Sequence, residues 1–263
     1  MIELRATALT ILELLEDNEV HSSNELVDTL RISRTSIWKQ IHSLNEMGYK
    51  IDSIRSKGYQ LNMPGGVLLE AKIEFYLNHL CMGSESSNIN IFPQLESTNE
   101  FLKDIKLSYK NSEICLAEQQ TNGRGRFKRV WYSPFAENIY LSIKKQLNIS
   151  FAQMSGFSLC ISLAIIDGLI EAGYDRDDFA IKWPNDVLHK DKKLAGILIE
   201  LTAQLGDRAE AIIGIGLNVN MQQSGVAISN INRPWTSLSI IDNCLDNDRN
   251  FIAAHLIASI RRA

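Results

Sequence analysis

The stretch Asn62-Met63-Pro64-Gly65-Gly66 constrains this chain more than any other. Proline lacks the amide proton that a helix interior or central strand needs, and paired glycines favour neither element. The 263 residues therefore have to build two units, one on each side of the break.

The segment before the break reads as three short helices and a hairpin. Leu9, Ile11, Leu12, Leu14 and Leu15 recur at helical spacing. Ser23 is placed to cap a helix from Asn24 to Leu30. Ser33 is placed to cap another from Arg34, with Ile37, Ile41 and Leu44 inward and Gly48 ending it. Tyr49–Ile54 and Gly58–Leu61 alternate like strands about Arg55-Ser56-Lys57-Gly58. The net charge of −4 argues against a whole-surface polyanion binder, but it hides a split. In residues 1–30, Arg5 stands alone against Glu3, Glu13, Glu16, Asp17, Glu19, Glu25 and Asp28. In residues 31–61, Arg31, Arg34, Lys39, Lys50, Arg55 and Lys57 face only Glu46 and Asp52. This pattern predicts a winged helix-turn-helix over residues 1–63. Ser33, Arg34, Thr35, Ser36 and Lys39 would meet the major groove of operator DNA, and Arg55 and Lys57 its phosphates. One such module reads a half-site, which implies a dimer. A small helical packing domain with solvated cations remains the alternative.

No apolar run reaches the length of a membrane span, and Met1-Ile2-Glu3-Leu4-Arg5 carries an acid where a signal peptide carries cations. A cytoplasmic protein without a membrane partner is expected. Cys81, Cys115, Cys160 and Cys244 are scattered, as reduced thiols are, and the five histidines show no metal-ligand spacing.

After the break the pattern is α/β. Leu68–Leu80 reads as a helix and Ile89–Phe92 as a strand. Leu95–Leu102 opens a further helix with Ser97 and Thr98 near its N-terminus, where a polar ligand is favoured and an ordinary cap serves as well. The apolar runs Ile114–Ala117 and Asn138–Ile143 flank Gln119–Trp131, a connection with two glycines and the cations Arg124, Arg126, Lys128 and Arg129. Glycines allow close approach of backbone to ligand, and arginines grip a carboxylate or phosphate. Taken alone, this stretch also suits a solvated basic hairpin. Met154–Gly173 reads as a helix on a sheet. Lys182 ends an apolar strand before Trp183-Pro184-Asn185-Asp186, and a lysine entering a core needs an anion. Lys192-Lys193 marks a turn. The strands Leu194–Leu201 and Ala211–Asn220 carry Gly196, Gly214 and Gly216, which either let a helix pack tightly or make room for a flat ligand. No Ser/His/Asp or Cys/His constellation is present.

Gly-Arg-Gly-Arg, Lys-Trp-Pro-Asn-Asp, Lys-Leu-Ala-Gly-Ile-Leu and Gly-Ile-Gly-Leu-Asn follow in that order behind the winged module. In this the chain resembles the biotin protein ligases, and specifically the bifunctional biotin operon repressors of the BirA type, from about Leu9 to its last residues. The resemblance implies an α+β protein: a winged helix-turn-helix, a linker at 64–66, and a mixed α/β ligase domain of the biotin/lipoate type over 67–263. It implies ATP and biotin as substrates, with Mg²⁺ accompanying the nucleotide. The biotin carboxylate attacks the α-phosphate, giving biotinyl-5′-AMP and pyrophosphate. A lysine of the biotin carboxyl carrier protein of acetyl-CoA carboxylase then takes the biotin. The adenylate doubles as corepressor, favouring the homodimer that binds operator DNA.

By the same resemblance Ser97, Thr98, Asn99 and Gln120 line the biotin pocket with Gly123, Arg124, Gly125, Arg126, Lys182 and Gly196. Arg124, Arg126, Arg129, Lys182, Asn218 and Trp235 hold the adenylate. Arg126 retains it, Lys182 touches the carboxylate and α-phosphate, and the segment Met221–Trp235 covers adenine. Two departures stand out. Lys128 replaces the third glycine of the family's loop, stiffening it where the family also dimerises. The chain stops at Ile260-Arg261-Arg262-Ala263 inside a helical pattern, where the family continues into a small β domain. A biotin-sensing repressor with impaired ligation is therefore the alternative. A lipoate ligase on the same scaffold is a third reading.

Overall fold

The computed structural model describes residues 4–63, 65–80, 87–107, 112–147, 154–205, 208–222, 231, 233–242 and 247–263. Pro64 of the linker, Cys81, Cys244, and residues 223–230 and 232 of the expected adenine cover lie outside them.

The first unit runs α1 (Ala6–Leu15), α2 (Ser23–Leu30), α3 (Arg34–Met47), β1 (Ile51–Ile54) and β2 (Gly58–Leu61). Ile11, Leu12 and Leu15 of α1 meet Leu26 of α2 and Ile37, Ile41 and Leu44 of α3 in one buried cluster. Ser22, not Ser23, caps α2: its backbone is extended and its side chain accepts from the Glu25 amide. Ser33 caps α3 by accepting from the Ser36 amide. Gly48, at φ +110, ends α3 with its amide on the carbonyls of Asn45 and Leu44, a left-handed turn that glycine adopts without strain. β1 and β2 form an antiparallel hairpin. His21 joins that hairpin from the side, exchanging two 2.9 Å backbone bonds with Tyr59.

The larger unit is a seven-stranded mixed sheet in the order β3-β4-β5-β9-β8-β7-β6. Its strands are β3 (Ser87–Leu95), β4 (Ser112–Gln120), β5 (Ile139–Leu147), β6 (Phe179–Lys182), β7 (Asp186–His189), β8 (Lys192–Leu205) and β9 (Arg208–Leu217). Only β3 and β4 are parallel among the pairs described. One face is apolar because side chains alternate along a strand. Ile139, Leu141 and Ile143 of β5 and Ile213, Ile215 and Leu217 of β9 bury against α4 (Glu70–Leu80), α6 (Met154–Glu171) and α8 (Arg249–Arg262). The other face carries the short α5 (Thr98–Lys103) over a smaller cluster of Phe92, Leu95, Leu102, Cys115, Ala117 and Ile212. Burial pushes the Cys115 thiol far up, so it is inert packing. A short α7 (Leu238–Ile241) precedes α8.

The two units share structure at the linker. Val67 and Leu69 complete the core of the first unit, together with Ala136 from the larger one. Phe135 packs edge-on against Tyr49, with ring centres 5.0 Å apart. Arg249, fully buried, pairs with buried Glu118 at 2.6 Å and donates to the Gly66 carbonyl at 2.7 Å. Glu118 also accepts from the Leu68 amide at 2.8 Å. An internal ion pair thus holds the linker.

Candidate functional site

Glycines create the site. Gly196 of β8 lies beside Gly216 of β9, and Leu198 beside Gly214, on the face opposite the main helices. Three glycines on one face strip a patch of sheet of its side chains. The space is filled from within the chain. A Cβ on Gly216 would stand 2.3 Å from the Trp131 indole, and one on Gly196 2.9 Å from it. A Cβ on Gly214 would stand 2.2 Å from Asn99 Oδ1. So the glycines admit an indole and an amide of the protein itself, a use beyond the two that the sequence suggested.

Over this floor lies a cavity of about 1170 Å³. Ser97, Thr98, Asn99, Gln120, Arg124, Gly125, Arg126, Arg129, Lys182, Gly196, Asn218 and Trp235, all expected, line it together. Gly123 sits just outside, buried where a Cβ would strike the Trp131 carbonyl.

One end of the cavity is neutral and polar. Gln120 Oε1 accepts from the Thr98 amide at 3.0 Å and its hydroxyl at 3.2 Å, and Gln120 Nε2 donates to Ser133. Ser142 of β5, fully buried, contacts the Thr98 hydroxyl at 2.7 Å and Asn99 Oδ1 at 2.6 Å. Asn99 donates to Glu200 at 2.8 Å. Asn99 is thus a strut in the wall, whereas Ser97 starts α5 without a side-chain capping bond.

The other end is cationic. Lys182 differs from expectation: it is exposed and makes no ion pair among the described residues. The reason is that β6 is the last strand of the sheet, so its end meets solvent rather than core. The lysine held inside is Lys193, which lies 2.7 Å from nearly buried Asp186 and 5.0 Å from the centre of the Trp131 ring. The Lys192-Lys193 pair starts β8, while the turn falls at Lys190-Asp191. The backbone of Lys193 accepts from Thr236 and donates to Pro234, and Asn218 Nδ2 donates to the Thr236 carbonyl at 2.9 Å. These bonds hold Trp235 against the cavity wall. Lys193, Asp186 and Trp131 were legible as members of motifs, but nothing in the sequence pairs them.

The glycine-arginine stretch is a short hairpin. Trp131 donates to the Gly123 carbonyl, Arg124 bridges to Val130, and Gly125 donates to Arg129. Its tip, Arg126–Lys128, is a 3-10 turn with Phe127 and Lys128 both at φ +57. That left-handed geometry suits glycine better than the lysine that stands there. Arg126, Lys128 and Arg129 are exposed. Arg124 is not a free anion fork, since its guanidinium already meets Glu100 and Glu200.

The DNA-facing residues form a separate set. Arg34, Thr35 and Lys39 are exposed along α3, with Arg55 and Lys57 exposed at the hairpin tip. Ser33 and Ser36 are engaged in the cap of α3, and Arg34 contacts Asn24 of α2. Trp38, 55% exposed and stacked on His42, is an aromatic on this helix that periodicity did not single out.

A mixed sheet with a polar pocket end, a cationic end and a glycine-arginine hairpin, joined to a winged module, defines a ligase of the biotin/lipoate class with a DNA-binding domain. The Biotin/lipoate A/B protein ligase family matches residues 91–219, and an HTH domain matches residues 7–60. The chain is 38% identical over 255 residues to the bifunctional ligase/repressor BirA of Salmonella typhimurium, covering 97% of this chain and 76% of that protein. It is equally similar to its counterpart in Escherichia coli, covering 75% of that protein. The structure of the biotin protein ligase from Aquifex aeolicus in complex with biotin and ATP aligns with a TM-score of 0.52 at 30% identity, over 66% of this chain and 69% of that one. The chain belongs to the family of bifunctional ligase/repressor BirA proteins.

Proposed function

We propose that the chain is a cytoplasmic biotin–[acetyl-CoA carboxylase] ligase that also represses transcription in response to biotin. One observation carries the ligase reading: a single cavity joins a neutral hydrogen-bonding end at Thr98 and Gln120 to a cationic end at Lys182, Lys193 and Arg126. A ureido ring suits the first end and a carboxylate meeting a triphosphate suits the second. At about 1170 Å³ the cavity exceeds that of most single small ligands, as two substrates require.

The reaction brings one anion onto another. A biotin carboxylate oxygen bonds to the α-phosphorus of ATP, and pyrophosphate leaves. The lysines and Arg126 lower the barrier by balancing charge that develops on the phosphate. The indole of Trp131 lies on Gly216 with its N–H buried against the sheet, so it forms the floor of the cavity. Mg²⁺ would accompany the nucleotide as MgATP. In the second step the carrier lysine nitrogen bonds to the biotin acyl carbon, AMP leaves, and the amine loses its proton. Trp235 and the hairpin cover the mixed anhydride against water.

For DNA, exposed Arg34, Thr35 and Lys39 would enter the major groove of the operator while Arg55 and Lys57 rest on phosphates. The adenylate-bound chain would act as a homodimer, each protomer reading one half-site.

Incubating the chain with MgATP, labelled biotin and a biotin carboxyl carrier domain tests the ligase; the expected result is label on one carrier lysine. A labelled adenylate with no labelled carrier would favour the repressor with impaired ligation. Lys193→Ala and Lys182→Ala should each slow adenylate formation by about 10²-fold or more; near-normal rates in both would remove the assigned roles.

A further inference from the structure

Arg124 opens the cationic hairpin, yet its charge is already matched. Its Nη2 contacts Glu100 of α5 and lies 3.8 Å from Glu200 of β8. Lys103 completes the cluster, 2.7 Å from Glu100 and 3.1 Å from Glu200. Two carboxylates and two cations make a neutral group. Burial works against the Glu200 carboxylate, but hydrogen bonds from Asn99 and Lys103, with the charges of Lys103 and Arg124, hold its pKa below the ordinary value. Arg124 Nε is buried with no partner among the described residues, so the guanidinium is held by one end rather than gripping an anion as a fork.

The partners matter because of where they sit. Glu100 follows Thr98 and Asn99 on α5, and Glu200 lies on the strand that carries Gly196. Glu200 also anchors Asn99. The cluster therefore ties the base of the hairpin to the neutral end of the cavity. Farther along, Arg126 and Arg129 line the cavity and make no ion pair among the described residues.

We propose that Arg124 is a positioning residue that, with Glu100 and Glu200, latches the base of the hairpin so that its tip cations close over the adenylate. The latch sets how long the intermediate is kept. This rests on the ligase reading above and adds to it residues with no direct contact to phosphate.

The test compares adenylate formation and adenylate release by stopped-flow in the full chain and in Arg124→Gln, Glu100→Gln, the Arg124→Gln/Glu100→Gln double variant, and the swap Arg124→Glu/Glu100→Arg. Both single variants should speed release by about 2- to 5-fold, the range for losing an ion pair whose side chains are 31% and 39% exposed. The rate of formation should change much less than the rate of release. The double variant should release no faster than either single one, because the pair acts as a unit. The swap should recover at least part of the retention. The proposal is overturned if Arg124→Gln abolishes formation while Glu100→Gln changes nothing, which would make Arg124 a phosphate contact. Additive effects in the double variant would overturn it as well. If the unmodified chain forms no adenylate, the ligase reading fails instead. Thermal melts of each variant separate misfolding from loss of the latch, and the swap keeps the test decisive if a single variant does not fold.

Discussion

Arg249→Met removes the cation at the junction of the two units. Arg249 and Glu118 are 0% and 1% exposed at the side chain, and they stand 2.6 Å apart. Glu118 would keep its bond from the Leu68 amide but lose its only charged partner among the described residues, and the Gly66 carbonyl would lose its 2.7 Å donor. Breaking a buried pair from one side costs about 3–5 kcal/mol, because an uncompensated charge stays behind. That is a large share of the roughly 5–15 kcal/mol that holds a domain together. At about 2–4 °C per kcal/mol for a domain of this size, the melting temperature should fall by about 6–20 °C. Urea unfolding followed by circular dichroism measures the loss, with m compared between proteins to confirm that the same transition is read. The control is Arg249→Met with Glu118→Leu. It removes both charges, so it should be less destabilised than Arg249→Met alone. A loss under about 1 kcal/mol for Arg249→Met, or a double variant as unstable as the two singles summed, would refute the reasoning.

Gly214→Ala should push Asn99 from its bonds to Ser142 and Glu200, since the new Cβ would stand 2.2 Å from Asn99 Oδ1. A destabilisation of about 1–3 kcal/mol is expected, with weaker biotin binding by calorimetry; unchanged binding would separate Asn99 from the pocket. Burial disfavours the imidazolium of His21, but the hydrogen bonds it donates to Asp17 and Glu25, and their charges, outweigh it and raise the pKa. A raised folded pKa means that this bracing of the α1–α2 connection to α2 is complete below pH about 6.5 and is lost as pH rises through the folded value. Unfolding of the winged unit followed from pH 5 to 9 should show that loss, and His21→Gln should remove the pH step. Lys57→Ala, at the exposed hairpin tip, should weaken operator binding about uniformly across sequences and reduce the slope of log K against log salt by about one; an unchanged slope would take Lys57 off the phosphates.

Much of this was legible in the sequence because local chemistry set it. Ser33 and Gly48 bound α3, and the apolar spacing of Ile37, Ile41 and Leu44 fixed its inner face. What stayed hidden depended on long-range pairing. No local signal says that β5 lies against β9 or that β6 ends the sheet, and the second fact is why Lys182 came out exposed rather than buried. The family motifs named most of the cavity wall, yet a charged residue in a sequence does not reveal its partner. Arg124 was expected to face a ligand; it lines the cavity and its guanidinium also meets Glu100 and Glu200, while Lys193 was hidden in a pair of lysines and is held by Asp186. The three glycines were seen, but not the indole and the amide that fill the room they leave.

In the proposed reaction biotin meets the α-phosphate in the cavity between Gln120 and Lys193. Exchange of labelled pyrophosphate into ATP tests that step directly, without carrier or DNA. Exchange should require biotin, and lipoate should not replace it. Exchange supported equally by lipoate, or none with biotin, would contradict the assignment.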